Sequence, residues 1–261
     1  MSQNKSQYVP EQIQYLYKTI DYNSNIISME LQNIIKKIYQ DKYSYSGPLC
    51  DFHELLDTDD FIDKKEDILT IREIGKNDRN SIFIKDYYTL IDSDPTFFNL
   101  YKEFICTHIK PLFPEETMLV YQTTPNLRIS FPSSTAIGRR DGDPTPDIIG
   151  IHMDAEFNHS AEEINFIIPL TDMFDTNSIY YEQSIHSNVD PANFLNLVIP
   201  SNRFFMCYFN QLRHYNRVNT TGKTRLSLDF RIIPHSKYID KSIESVSCNK
   251  KMSIGEYYQT I

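Results

Sequence analysis

The order of predicted secondary structure indicates a mostly β protein: an antiparallel sandwich or barrel with helices packed on one outer face. Helical periodicity dominates as far as Pro111, and short segments rich in β-branched and aromatic residues follow it. A block of helices followed by many short strands is typical of this architecture. The 261 residues suit one large domain, which we divide into an N-terminal helical and irregular region (1–115), a β core (116–240) and a C-terminal extension (241–261).

Three segments carry apolar residues at helical spacing. Two lie between residues 10 and 41, in QIQYLYKTI and IISMELQNIIKKIYQ. The third starts at Asp94, a residue suited to an N-cap, with Pro95 at the first helical position. Residues 48–85 show a charged mixture without a clear period, and we predict an irregular solvated surface there.

The strand predictions rest on short runs of β-branched and aromatic residues, separated by prolines and by Asn/Asp/Ser clusters. Between them, residues 132–147 are too polar and too rich in Pro and Gly for regular structure, so we predict a loop. The predicted strands are MLVYQTT, NLRISF, DIIGIHM, INFIIPL, FLNLVIP, RFFMCYF and TRLSLDFRIIP.

The charge balance narrows the expected partners. A formal net charge of -9 disfavours nucleic acid and anionic membranes, because phosphates would meet a repulsive average field. No apolar run approaches the roughly 20 residues that a membrane span needs. The four cysteines lie far apart without metal-type spacing, so we expect reduced thiols in the cytoplasm. A small molecule is the expected partner.

The stretch GIHMDAEFNH places His152 and Asp154 two positions apart. On a strand they share one face, where an imidazole and a carboxylate suit divalent iron, manganese or zinc. A third ligand is needed, and His214 ends the strand-like run RFFMCYFNQLRH. Two histidines and one carboxylate leave the opposite face of a metal open. Taken alone, a His-x-Asp tripeptide is common and usually marks a structural histidine.

A possible anion site follows the distal histidine. Arg225 lies eleven residues after His214, and Ser227 shares its strand face. A guanidinium beside a hydroxyl suits a carboxylate held end-on. A salt bridge on a solvent-facing strand is the alternative for Arg225.

Together these motifs resemble those of Fe(II)/2-oxoglutarate-dependent dioxygenases. The stretches HMDAEFNHSAEEINFIIPLTDMFDTNSI and FNQLRHYNRVNTTGKTRLSLDFRIIP are similar to the branch of oxygenase-like proteins from streptomycin biosynthesis clusters. The resemblance covers residues 118–236. It implies a double-stranded β-helix (a jelly-roll, cupin-like) with the N-terminal helices packed on its larger sheet.

The resemblance also implies roles for individual residues. His152, Asp154 and His214 would bind Fe(II), and Arg225 with Ser227 would hold the distal carboxylate of 2-oxoglutarate. Reaction with O2 would release succinate and CO2 and oxidise a small polar substrate, such as a sugar or an aminocyclitol. Halogenating relatives lack the carboxylate ligand, so Asp154 favours hydroxylation, or a desaturation or epimerisation.

Four further residues are weaker candidates. Asn165 in EINF either faces inward and touches 2-oxoglutarate or faces water. Glu156 lies near the substrate if the strand of Asp154 continues, and a turn there cancels that argument. Arg128 lines the barrel mouth or lies on the surface. His159 is expected to be a polar loop residue and not a ligand.

The competing function is a metal-binding jelly-roll protein, cupin-like, without oxygenase chemistry. Arg225 discriminates between the two, because a protein that binds no 2-oxoglutarate has no need of a guanidinium at that position. A binding module that has lost turnover is a third possibility, and the presence of all five residues argues against it.

Overall fold

The computed structural model describes residues 17–21, 26–57, 81–138, 140–185, 188–241, 243–245 and 250–261, with only the backbone of 17–21 and 26–28. Within these ranges the strands form a seven-stranded and a four-stranded sheet, and all their pairings are antiparallel. Buried side chains of both sheets meet in one apolar cluster between them. The predicted jelly-roll fold is confirmed.

The larger sheet has the order β1-β8-β5-β10-β2-β11, with β3 also paired to β10, and the smaller has the order β4-β9-β6-β7. The long strand β10 therefore lies at the centre of the larger sheet. The strands are β1 (Tyr17–Asp21), β2 (Leu119–Gln122), β3 (Asn126–Ser130), β4 (Ile149–His152), β5 (Ile164–Pro169), β6 (Ile179–Glu182), β7 (Phe194–Asn196), β8 (Arg203–Cys207), β9 (His214–Asn216), β10 (Arg225–Pro234) and β11 (Tyr258–Thr260).

Three α-helices precede the β core among the described residues: α1 (Ile26–Tyr43), α2 (Ile82–Ile91) and α3 (Pro95–Phe104). Helix α3 starts as predicted, with the Asp94 carboxylate accepting from Thr96 N at 2.8 Å. It continues as a single π-helical turn, Ile105–Ile109. None of the described helices is long and apolar enough to cross a bilayer.

The helices pack on the outer face of the larger sheet, as predicted. On α1, Leu31, Ile35 and Tyr39 recur every fourth residue and are fully buried. On α3, the ring of Tyr101 meets that of Phe230 edge-on at 5.1 Å. Their side chains belong to one apolar cluster with the outward residues of β5, β8 and β10. This cluster leaves the other face of the sheet free to carry polar groups.

Two N-terminal predictions are wrong where the structure describes them. The end of QIQYLYKTI is not helical, because residues 17–20 belong to β1 and pair with the edge strand β8. The remainder of that predicted helix, from residue 10 to 16, lies outside the described residues. Within 48–85, Leu49–Asp57 forms a 3₁₀ helix whose Phe52 ring stacks on Tyr39 at 4.5 Å, so this part is core. Residues 58–80 lie outside the described ranges.

The sequence patterns missed three strands. Strand β6 and the three-residue strand β9 complete the smaller sheet. Strand β11, in the segment predicted as an extension, pairs with β2 at one end of the larger sheet. The chain end therefore contributes to the larger sheet.

Candidate metal and cosubstrate site

A cavity with about 500 Å³ of empty space, part of it open to solvent, lies between the two sheets. Both sheets contribute polar side chains to it, and an apolar cluster fills the neighbouring part of the interior. Its lining is Arg128, Ile137, His152, Asp154, Asn165, Ile167, Ile179, Phe209, His214, Asn216, Arg225, Ser227, Asp229 and Arg231.

The alternation of β10 places its polar residues in the cavity. Because successive side chains of a strand point to opposite faces, every second residue from Arg225 to Arg231 faces inward. The residues between them face the helices and are fully buried there. One strand thus supplies four polar or charged groups to the cavity: Arg225, Ser227, Asp229 and Arg231.

The two candidate histidine ligands face each other across a strand pair. His152 on β4 lies directly opposite His214 on β9, with ring centroids 4.2 Å apart. Each Nδ1 is next to a backbone carbonyl, that of Gly150 at 2.5 Å for His152 and that of Leu212 at 3.3 Å for His214. A neutral imidazole that donates through Nδ1 has its lone pair on Nε2. Both Nε2 atoms are then available to a metal.

Asp154 completes the group from the first position of a short 3₁₀ turn that follows β4. Its Oδ1 lies 3.6 Å from His152 Nε2 and 3.8 Å from His214 Nε2. The candidate ligand atoms of these three buried residues all lie within 4.8 Å of one another. The arrangement can hold one divalent cation, as the sequence predicts.

The second oxygen of Asp154 is already occupied. Its Oδ2 accepts from Asn165 Nδ2 at 2.7 Å and from Arg231 Nη2 at 2.8 Å. These donors fix the carboxylate so that Oδ1 points towards the two imidazoles. The site therefore favours a carboxylate that binds a metal through one oxygen.

The electrostatics keep all three groups in the forms that bind metals. Burial raises the pKa of Asp154, but Arg231 and a hydrogen bond with His152 outweigh it and hold the pKa well below the usual range. Burial, followed by the charge of His152, lowers the pKa of His214 to about 3. A carboxylate anion and a neutral His214 are the stable forms near neutral pH.

Gly150 lets the loop 132–147 approach the site. Its φ is +70°, and a Cβ at this position would lie 2.5 Å from Ile137 Cγ2 and 2.9 Å from the Gly138 carbonyl. The Asp143 carboxylate accepts from the backbone N–H groups of Gly150 and Ile151, each at 2.9 Å. The loop is thus bonded to the strand that carries His152.

The predicted anion-binding pair also lies in the cavity. Arg225 and Ser227 are both 1% exposed. Arg128 on β3 is directly opposite Ser227 in the strand pair, and its Nε lies 3.4 Å from Asp229 Oδ2. A surface salt bridge, the alternative considered for Arg225, does not fit a buried side chain.

The weaker candidates separate clearly. Asn165 faces inward, where Nδ2 donates to Asp154 and Oδ1 accepts from Phe209 N at 3.2 Å. The argument for Glu156 is wrong, because the strand ends at His152 and the turn leaves Glu156 exposed, 3.0 Å from Arg140 Nη2. His159 is not among the grouped ligands, but it is not a simple loop residue either, because it pairs with buried Glu163 at 2.7 Å.

Arg231 was missed by the sequence analysis. The signal was present, because the two-residue period that places Arg225 and Ser227 inward reaches Arg231 after two further steps. Nothing in the sequence, however, pairs it with Asp154, which is 77 positions away.

The comparisons with known proteins agree with the motifs. No protein-family model matches the chain. The chain is similar to the streptomycin biosynthesis protein StrG of Streptomyces griseus, with 27% identity over 157 residues, covering 59% of this chain and 67% of that protein. This similarity confirms the resemblance to the streptomycin-biosynthesis branch.

Solved structures of similar shape include three non-heme proteins or their relatives. The ThoJ–nickel complex, a non-heme monooxygenase, has 13% identity and a TM-score of 0.44, covering 84% of this chain and 74% of that one. The carbocyclase SnoK from nogalamycin biosynthesis has 12% identity and a TM-score of 0.39, with 62% and 71% covered. EvdO2 from Micromonospora carbonacea var. aurantiaca, complexed with 2-oxoglutarate, has 15% identity and a TM-score of 0.36, with 58% and 65% covered.

Proposed function

We propose that the protein is an Fe(II)/2-oxoglutarate-dependent oxygenase that hydroxylates a small polar molecule. The observation that carries this proposal is the grouping of His152, Asp154 and His214 in a cavity that also contains Arg225. A metal site and a buried guanidinium in one cavity suit a cosubstrate that carries a carboxylate at its far end.

The donor set fits iron. Two imidazole nitrogens and one carboxylate oxygen on one side of the ion are the ligands of non-heme Fe(II) oxygenases, whose other coordination positions stay open. In this role His152, Asp154 and His214 hold the ion between the sheets. Bound there with 2-oxoglutarate, Fe(II) would supply the O2 chemistry that releases succinate and CO2 and oxidises the substrate.

Arg225 and Ser227 would bind the distal carboxylate of 2-oxoglutarate. A guanidinium offers two parallel N–H groups to a carboxylate, and the Ser227 hydroxyl adds a third donor. Because both residues are buried, water screens this interaction weakly. Their position two residues apart on β10 gives both side chains the same direction.

Aromatic side chains shield the metal ligands from water. The Phe209 ring stacks on His214 with centroids 4.0 Å apart, and Phe157 meets His152 edge-on at 5.1 Å. These contacts also fix the planes of both imidazoles. Restricting water near the ligands limits turnover that is not coupled to substrate.

The substrate proposal is a sugar-like or aminocyclitol-like compound. The name of the similar streptomycin biosynthesis protein supports it, since that protein serves the synthesis of an aminocyclitol antibiotic. A cavity of about 500 Å³ is the size of a small-molecule site, and the net charge of -9 disfavours nucleic acid.

The cosubstrate site is tested by adding Fe(II) and then 2-oxoglutarate to the protein without oxygen. We expect the weak visible charge-transfer band of an iron–2-oxoglutarate chelate. His214→Ala should abolish the band, and Arg225→Ala should require far more 2-oxoglutarate to reach it. His235→Ala and Arg203→Ala are matched controls outside the cavity and should behave as the wild type.

Iron binding without the band would reject the oxygenase and favour the metal-binding jelly-roll without oxygenase chemistry. If the band appears, a panel of sugars and aminocyclitols is tested for succinate formation above the rate measured without substrate. A panel without any stimulation would reject the proposed substrate class and leave the cosubstrate site intact.

A further inference from the structure

A group of buried charged residues lies behind Asp154, on the side away from the histidines. Arg231 is 5% exposed, Glu163 is 0% exposed and Tyr258 is 1% exposed. Burying a charge is costly unless partners compensate it, so each contact in this group has an energetic consequence.

Arg231 contacts three carboxylates with three different nitrogens. Nη2 donates to Asp154 Oδ2 at 2.8 Å, and Nη1 lies 3.3 Å from Asp229 Oδ1. Nε lies 3.9 Å from Glu163 Oε2. Since the guanidinium is planar, fixing two of its edges also fixes the third, which bonds to Asp154.

Glu163 is itself held from several directions. The Tyr258 hydroxyl and Ser160 N donate to Oε1, the latter at 3.1 Å, and His159 Nδ1 lies 2.7 Å from Oε2. Burial raises the pKa of Glu163, but His159 and Arg231 outweigh burial and hold it below 4.5. Glu163 is therefore a fixed anion against which Arg231 can be oriented.

Strand β11 reaches Arg231 by a second route. Tyr258 pairs with Gln122 of β2, and Gln122 Oε1 accepts from Arg231 Nη1 at 3.4 Å. The end of the chain thus contacts Arg231 through both Glu163 and Gln122. These contacts give a segment far along the chain a place behind the metal ligand.

We propose that Arg231 is a positioning residue for Asp154, and that the C-terminal strand β11 sets its orientation through Tyr258 and Glu163. This inference rests on the proposed function, because positioning matters only if Asp154 binds a metal. Its consequence is that the metal affinity depends on a tyrosine hydroxyl that touches neither the metal ligands nor the cavity lining.

The alternative is that the group only stabilises the fold. Both roles predict a change in unfolding, so stability cannot separate them. Positioning alone predicts a change in the metal site of the folded protein, because an Asp154 carboxylate released from Arg231 can rotate and present either oxygen.

The test is a titration of the full-length protein with Co(II), followed by visible absorption, which reports affinity and coordination geometry together. Tyr258→Phe removes only the hydroxyl on Glu163. Arg231→Lys keeps the charge and removes the planar fork. Tyr238→Phe is the matched control, because its hydroxyl accepts from Ile254 N in the same C-terminal segment and its ring packs on Tyr258.

We expect Tyr258→Phe and Arg231→Lys to weaken Co(II) binding by roughly 10- to 100-fold and to alter the visible spectrum, with Tyr238→Phe unchanged. Wild-type affinity and spectrum in a folded Tyr258→Phe would overturn the inference, whether or not Arg231→Lys folds. An equal loss in Tyr238→Phe would overturn it too, because packing of the segment would then explain the effect.

The same titration separates this inference from the proposed function. If the wild type binds one Co(II) and His214→Ala does not, the metal site stands and the positioning variants decide the inference alone. If the wild type binds no Co(II), the proposed function is wrong and the positioning role is wrong with it.

Discussion

The two faces of strand β10 are almost equally buried and chemically opposite. On the face towards the helices, the four alternate side chains are apolar and 0% exposed. On the face towards the cavity, Arg225 and Ser227 are 1% exposed and Arg231 is 5% exposed. The apolar face consists of Leu226, Leu228, Phe230 and Ile232.

Burial therefore has two different consequences on one strand. An apolar side chain is stabilised in proportion to the area removed from water, so its contribution does not depend on one partner. A buried charge requires particular partners at particular distances, as Arg231 does with Asp154 and Asp229. We expect substitutions on the helix face to change stability and substitutions on the cavity face to change binding.

The largest expected effect is the loss of turnover in Asp154→Ala. Removing the carboxylate takes one of the three candidate ligands away, so metal-dependent succinate formation should fall to the level of the metal-free protein. Leu228→Ala, on the helix face of β10, should retain the activity of the wild type per folded molecule. Full activity in Asp154→Ala would remove this residue from the ligand set.

Phe230→Ala should give the largest loss of stability. The ring packs on Tyr101 at 5.1 Å and is stacked with Phe166 at 5.6 Å, so truncation leaves a cavity. We expect the free energy of unfolding to fall by about 3–5 kcal/mol in a urea titration. Co(II) affinity of the folded variant should remain that of the wild type, and a large loss of affinity would show that the two faces of β10 are not independent.

The pH dependence of stability should reveal the buried His214. Because its folded-state pKa is about 3, the unfolded chain binds a proton that the folded, metal-free protein does not bind as the pH falls below 6.5. The free energy of unfolding should therefore fall with decreasing pH from 6.5 towards 3, by up to about 1.4 kcal/mol per pH unit from this group.

His214→Gln should remove that part of the slope, and His235→Gln should keep it. The measurement is urea unfolding at several pH values after treatment with a chelator. Parallel pH profiles for the wild type and His214→Gln would contradict the prediction.

The smallest expected effect is that of Arg225→Lys on the cavity face. The charge is kept but the two-pronged geometry is lost, so roughly one charge-assisted hydrogen bond to 2-oxoglutarate should disappear, worth about 1.5 kcal/mol. Anaerobic titration of the iron–2-oxoglutarate band should show about tenfold weaker binding, with unchanged iron affinity. A wild-type 2-oxoglutarate affinity would mean that Arg225 does not grip the carboxylate with both prongs.

The cavity face of β10 also shows what sequence could predict. The spacing of His152 and Asp154 and the two-residue period from Arg225 to Ser227 depend only on local geometry, and the structure brings all four to one cavity. The partner of Arg231 depends on how distant strands pack, which no local pattern records. The same limit explains why Glu163 was not singled out.

Local patterns failed where elements are short or rely on tertiary partners. Strand β9 has three residues, too few for a period to be recognised. Strand β1 is an edge strand whose hydrogen bonds come from β8, and the helical spacing of its apolar residues favoured the wrong element. Glu156 was misplaced because the strand ends at His152, one residue before the pattern of alternation would show a break.

Gly150 carries no side chain, yet its replacement should be among the least tolerated changes in the chain. A Cβ there would push Ile137 and the Gly138 carbonyl away, and any non-glycine residue would be strained at a φ of +70°. Relief of either strain would turn the peptide whose carbonyl accepts from His152 Nδ1. In a library of random variants selected for activity, we expect position 150 to remain glycine as strictly as the metal-binding positions remain His and Asp.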